Sequence, residues 1–222
     1  MPPPLFVRSF VMGPMRSNCY FVAASGEAVV IDPGGDPAPV LTQLGINKAR
    51  LAAVLLTHLH YDHILGVSAL CRATKAPVFA SPLDAFLRET AMGGRGPEGT
   101  SPVHGFPPVP GFDFAPLSPG RLTLCGHPLL VLDTPGHTPG GLSFLFPYAG
   151  VVFVGDVLFH RSVGRTDWPG GDEKALLRSI RERILSLPDD TEIYPGHGPP
   201  TTVAAEKALN PFFVPGQGTR GA

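Results

Sequence analysis

The apolar run Leu51-Ala52-Ala53-Val54-Leu55-Leu56 is followed at once by Thr57-His58-Leu59-His60-Tyr61-Asp62-His63. No other stretch restricts the possible folds so strongly. The run is short, continuous and bounded by polar residues, the pattern of a strand covered on both faces. Three imidazoles and a carboxylate therefore stand where a core strand ends. In an extended segment His58 and His60, two residues apart, point the same way. Asp62 and His63 fall where the chain turns towards a helix-like stretch from Ile64 to Cys71. Titratable groups packed this tightly repel one another and cost desolvation, and a bound dication removes both penalties. Imidazole nitrogen and carboxylate oxygen are ligands of zinc, iron and related ions.

The same arrangement returns further along the chain. His137 sits in Asp133-Thr134-Pro135-Gly136-His137-Thr138-Pro139-Gly140-Gly141, on a rigid turn after a strand-like run. Asp156 directly follows Val151-Val152-Phe153-Val154-Gly155, and a buried carboxylate needs a cation or several donors. His197 ends Glu192-Ile193-Tyr194-Pro195-Gly196, again strand, Pro-Gly, then His. Five histidines and two aspartates exceed what one four-coordinate ion uses. Two ions about 3.5–4 Å apart use them well, with the two oxygens of Asp156 as a bridge. No G-x-S-x-G occurs to suggest a serine nucleophile.

Length and charge narrow the alternatives. The chain has 222 residues, enough for one large domain or two small ones. Its formal net charge is −1, with no basic run, which argues against a nucleic-acid partner or a membrane surface. No apolar run reaches membrane-spanning length. The 27 glycines and 27 prolines approach a disorder-like composition, but 43% apolar content arranged in strand-like runs points to a loop-rich globule. Cys19, Cys71 and Cys125 are odd in number, far apart and form no CxxC, so a reducing compartment and core-filling roles are expected. Met1-Pro2-Pro3-Pro4 lacks the basic and apolar regions of a secretory leader. A cytoplasmic protein is the expectation.

Other elements follow from local pattern. Strands are expected at 5–12, 19–23 and 28–32, the last two joined by a hairpin at Ser25-Gly26. Asp32, closing the third, is expected to form a turn or support the site from outside rather than ligate. Helices are expected at 39–44, 82–90, 173–187 (capped by Asp172) and 202–208, and strands at 77–80, 121–124, 129–132, 142–146 and 151–154. Strand 51–56, its helix and strand 77–80 make a β–α–β unit with parallel pairing. Met92 to Pro119, dense in Gly and Pro and without period, is expected to be a structureless insertion or lid beside the site, with His104 on it exposed. Residues 215–222 are expected to be a flexible tail.

Thr57-His58-Leu59-His60-Tyr61-Asp62-His63 resembles the signature of the metallo-β-lactamase superfamily. The later motifs look most like its single-domain glyoxalase II-like members, while Thr134-Pro135-Gly136-His137-Thr138 and Gly164-Arg165-Thr166-Asp167 also resemble iron persulfide dioxygenases of the same fold. The resemblance runs from the first strands to about Phe213. It implies one α/β domain over 1–222: a four-layer αββα sandwich of two mixed β-sheets with helices outside. It also implies that His58, His60 and His137 hold one divalent ion and Asp62, His63 and His197 a second, bridged by Asp156 and a hydroxide. Zinc is the expected metal, and iron or manganese also suit the donors. The implied reaction is hydrolysis of a 2-hydroxyacyl thioester, such as lactoyl-glutathione or another low-molecular-weight thiol ester, by the bridging hydroxide. Asp62 would have the catalytic role of orienting that hydroxide or taking a proton. A thiolate, whose parent thiol has a pKa near 8.5, leaves without a strong general acid. Arg165 falls where glyoxalase II enzymes carry the lysine of a G-x-G-K segment that helps hold glutathione, which makes it a candidate substrate-binding residue. Larger glyoxalase II enzymes have a helical domain after the position of His197, whereas about 25 residues follow it here, so another thiol carrier is open. The competing resemblance is to iron persulfide dioxygenases of the same fold, which use one iron held by two histidines and an aspartate, here His58, His137 and Asp156. A lactonase or β-lactamase is a further reading of the same motifs.

Overall fold

Strands that are apolar at every position need cover on both faces, and two stacked sheets with helices outside provide it. The computed structural model describes residues 2–90 and 108–214. The first six-stranded sheet runs in chain order: β1 (Phe6–Met12), β2 (Ser17–Ala24), β3 (Glu27–Ile31), β4 (Arg50–Leu55), β5 (Val78–Ala80) and β6 (Ala115–Pro116). β1, β2 and β3 pair antiparallel, and β3 to β6 pair parallel. The second contains β7 (Gly120–Leu124), β8 (His127–Asp133), β9 (Leu142–Phe146), β10 (Val151–Gly155), β13 (Glu192–Pro195) and β14 (Thr201–Thr202), in the order β14-β13-β10-β9-β8-β7. Only its β10–β13 pair is parallel. A small hairpin of β11 (Leu158–Phe159) and β12 (Ser162–Val163) lies between.

Strand alternation sorts the side chains into three cores. Tyr20, Val22, Val29, Ile31 and Leu55 meet Leu129, Val131, Phe144, Phe146 and Phe153 between the sheets. Phe21, Val30 and Val54 face outwards, under α1 (Ala38–Asn47) and α3 (Val67–Thr74). Leu145, Val152, Val154 and Ile193 face the other side, under α4 (Glu173–Ser179) and α5 (Val203–Leu209). The expected αββα sandwich is therefore present. The Ser25-Gly26 hairpin is too, with φ of 53° and 75° at the two turn residues, the doubly positive geometry that a tight two-residue connection takes.

Several expectations need correction. The helix expected after the histidine cluster is two pieces, α2 (Tyr61–Ile64) and α3, parted where Gly66 N–H donates to Pro33 O at 2.8 Å. Pro82–Glu89 is a 3-10 helix, and the 173–187 helix leaves α geometry at Ile180 for one π turn to Ile184. The 92–119 segment is not structureless throughout. Val109 and Phe112 pack into the outer core of the first sheet, Leu117 packs between the sheets, and β6 extends the first sheet. Gly/Pro density concealed these anchors. His104, the rest of the expected lid and the 215–222 tail lie outside the described residues. Cys19 and Cys125 are buried, Cys71 is half-buried, and all are free thiols. No described helix is long and apolar enough to cross a membrane.

Candidate metal centre

Each site residue comes from the end of a strand or the turn that follows. β4 delivers His58 and His60, and α2 turns Asp62 and His63 back under them. His137 lies after β8, Asp156 after β10 and His197 after β13. All seven come together at one edge of the sandwich. Candidate donor atoms of His58, His60 and His137 lie within 4.8 Å of one another, as do those of Asp62, His63 and His197.

The spacings suit shared ions. His60 Nδ1 is 2.9 Å from His137 Nε2. His63 Nε2 is 3.5 Å from Asp62 Oδ2 and 3.4 Å from Asp156 Oδ1. Asp156 Oδ2 is 3.7 Å from His137 Nε2 and 3.6 Å from His197 Nε2, so this carboxylate touches both triads. Two donors bound at about 2.0–2.2 Å to one tetrahedral ion stand roughly 3.3–3.6 Å apart. The Nε2 atoms of His58 and His63 and Oδ1 of Asp156 are buried without a hydrogen-bond partner. Such atoms are costly unless a cation takes them. The donor set therefore fits two dications.

Outer contacts choose which ring nitrogen is free. Asp32 accepts from Thr57 N (2.8 Å) and Thr57 Oγ1 (2.6 Å), and its Oδ2 is 3.0 Å from His63 Nδ1. With the Thr57 hydroxyl proton directed at Asp32, His58 Nδ1–H at 3.0 Å donates to the Thr57 oxygen. His137 Nδ1–H donates to Arg165 O at 2.7 Å. The Nε2 lone pairs of His58, His63 and His137 are thereby left for metal, the usual office of such outer partners. Asp32 supports the site as expected and holds a left-handed φ of 51°, which aspartate tolerates. Gly196 is needed for a different reason: a Cβ there would lie 2.0 Å from Asp156 Oδ1.

The two triads differ electrically. Burial, then neighbouring imidazoles, push the pKa of His58 down, and burial with His137 takes His60 to about 3. Burial also opposes charge on His63, but Asp62 and Asp156 outweigh it and raise its pKa. On His197, burial is likewise outweighed, first by its hydrogen bond to Asp62. Burial would raise the pKa of Asp156, yet His63 holds it far below the carboxylate range.

Arg165 stands at the rim. Its guanidinium is bidentate to Asp167, at 2.7 and 2.6 Å, and lies 4.1 Å from the Trp168 ring centroid. Sequence reasoning missed three supports. Asp84, fully buried, accepts from Thr138 Oγ1 (2.8 Å) and Gly140 N (2.6 Å) and so anchors the His137 turn. Asn18 Nδ2 donates to Pro195 O (2.9 Å) and Gly198 O (2.8 Å), bracketing His197. Trp168 packs on His60 and His137. Asp84 and Asn18 carry no local signal, and Trp168 stood out only as the single tryptophan.

A sandwich of this kind with two His/Asp triads sharing a carboxylate at its edge defines a metal-dependent hydrolase. The chain belongs to the metallo-beta-lactamase superfamily, whose family model matches residues 12–197. Among its relatives, hydroxyacylglutathione hydrolase GloC of Haemophilus influenzae is 37% identical, covering 89% of this chain and 93% of its own. Among solved structures, TTHA1623 in a di-iron-bound form is similar at 40% identity and a TM-score of 0.80, over 92% of this chain and 99% of that one. The BLEG-1 B3 metallo-beta-lactamase is similar at 36% identity and a TM-score of 0.82, over 94% and 99%.

Proposed function

We propose that this protein hydrolyses a 2-hydroxyacyl thioester of a low-molecular-weight thiol, with lactoyl-glutathione as the reference substrate. The observation that carries this reading is the complete pair of triads joined by Asp156, in a chain 37% identical to a hydroxyacylglutathione hydrolase. Bound divalent ions, with zinc, iron or manganese suited to the donors, would supply hydroxide at neutral pH and an electrophile for the carbonyl. His58, His60 and His137 would hold the first ion, and Asp62, His63 and His197 the second. The carboxylate of Asp62 orients the attacking water and takes its proton. Arg165, keeping Asp167 on Nε and Nη2, turns its remaining N–H groups to a carboxylate of the thiol half and grips the substrate at the rim. The thiol leaves as thiolate, so no buried acid is required. The partner in this reading is a small cytoplasmic thioester.

The test is metal analysis coupled to hydrolysis of lactoyl-glutathione, other lactoyl thioesters and a β-lactam. Two ions per chain and thioester turnover are expected. Replacement of His58 or Asp156 by Ala is expected to lower kcat by about a thousandfold or more, since the metal-generated nucleophile is lost. Near-normal rates in those variants would refute the proposal. The β-lactam arm matters because the BLEG-1 relative is named a β-lactamase. One iron per chain with no thioester turnover would point instead to the persulfide dioxygenase reading, with His58, His137 and Asp156 as ligands.

A further inference from the structure

The segment from Gly164 to Asp172 packs directly against the first triad. The carbonyl of Arg165 receives His137 Nδ1–H at 2.7 Å. The Arg165 guanidinium, gripped by Asp167, covers Trp168 at 4.1 Å from the ring centroid. Trp168 in turn meets His60 edge-on, with centroids 5.1 Å apart and planes at 81°, and lies 6.3 Å from His137. The far end is tied down as well. Gly171 N–H donates to Trp168 O at 2.9 Å, and Asp172 N–H donates to Gly136 O at 2.8 Å. An indole between a guanidinium and two imidazoles is oriented by both cation–π and edge-to-face contacts. The second triad is supported differently. His63 has the carboxylate of Asp32, and His197, with 31% of its side chain exposed, has the ring of Phe159 at 6.1 Å.

We propose that Trp168 is a positioning residue for the first triad. Clamped by the Arg165–Asp167 pair, it holds the rings of His60 and His137 at their ligating angle. The strap thus sets how tightly that triad keeps its ion and leaves the Asp62–His63–His197 triad unaffected. The inference rests on the two triads and not on the substrate.

The full chain, stripped of metal and titrated with cobalt(II), tests this. Cobalt absorption follows both sites, and quenching of the single tryptophan follows the ion it adjoins. Asp167→Ala, a change at an exposed position, is expected to move the quenching midpoint to about 10–100-fold higher cobalt, the usual cost of losing an outer support, with the other absorption step shifted less than about threefold. Trp168→Ala is expected to weaken one absorption step to the same degree, and Trp168→Phe to restore most of it. Equal weakening of both steps in Trp168→Ala would mark general destabilisation and overturn the proposal. Unchanged midpoints in Asp167→Ala and Trp168→Ala would overturn it too.

Discussion

Four contacts pass through or beside Asp32. It fixes the Thr57 backbone and hydroxyl, the tautomer of His63 and, through Thr57, that of His58. Asp32→Asn keeps the shape and removes the charge, so metal affinity is expected to fall about 10–100-fold in chelator competition. Asp84 works at the His137 turn. Asp84→Ala leaves the Thr138 hydroxyl and the Gly140 N–H without their acceptor in a buried place, and about 2–4 kcal/mol of stability is expected to be lost in urea unfolding. A loss below 0.5 kcal/mol would mean that water replaces the carboxylate. These residues show where reading a sequence stops. His58, His60, Asp62 and His63 advertise themselves by crowding, and Asp156 by following an apolar strand. Asp84 is separated from Thr138 by 54 positions in the chain, and only folding brings the two into contact.

Elements were legible where their chemistry is local. The Asp172 side chain accepts from Ala175 N at 3.0 Å, so the start of α4 was readable as a cap. Thr202 does the same for α5, accepting from Ala205 N at 3.2 Å. Thr202→Ala is expected to cost about 1 kcal/mol, measured as a lower urea midpoint at unchanged slope. What was not legible at this scale was the break at Gly66, the 3-10 geometry of Pro82–Glu89 and the anchoring of 109–117. Each is imposed by a distant neighbour: Pro33 receives the Gly66 N–H, Asp84 reaches across to the His137 turn, and β5 pairs with β6. Local propensity carries no trace of such partners.

At the scale of the whole molecule the site is a seam. Strands of both sheets supply it, so metal bound there ties the two sheets together. At a thousandfold excess over its dissociation constant, a single ion is expected to stabilise the fold by about 4 kcal/mol, visible as a higher Tm that EDTA reverses. The direction with pH follows from the second triad. Asp62 and Asp156 raise the pKa of His63, and Asp62 that of His197, so protons occupy these rings in the metal-free protein at pH values where free histidine has begun to lose them. Metal must displace those protons. Its uptake near pH 7 is therefore expected to release protons, and affinity to fall as pH drops, measured by calorimetry in buffers of different ionisation enthalpy. Uptake without proton release would contradict this account of the second triad. The amino-acid order alone marked the strand-like runs and the seven candidate donors that end them, and the motifs they form carried the family resemblance that implied the layered fold, because strand patterning and His/Asp chemistry are written in short stretches of residues. Which nitrogen each histidine offers, how Asp156 faces both triads and what braces each ring were decided only by tertiary structure, because those are contacts between atoms of segments far apart in the chain.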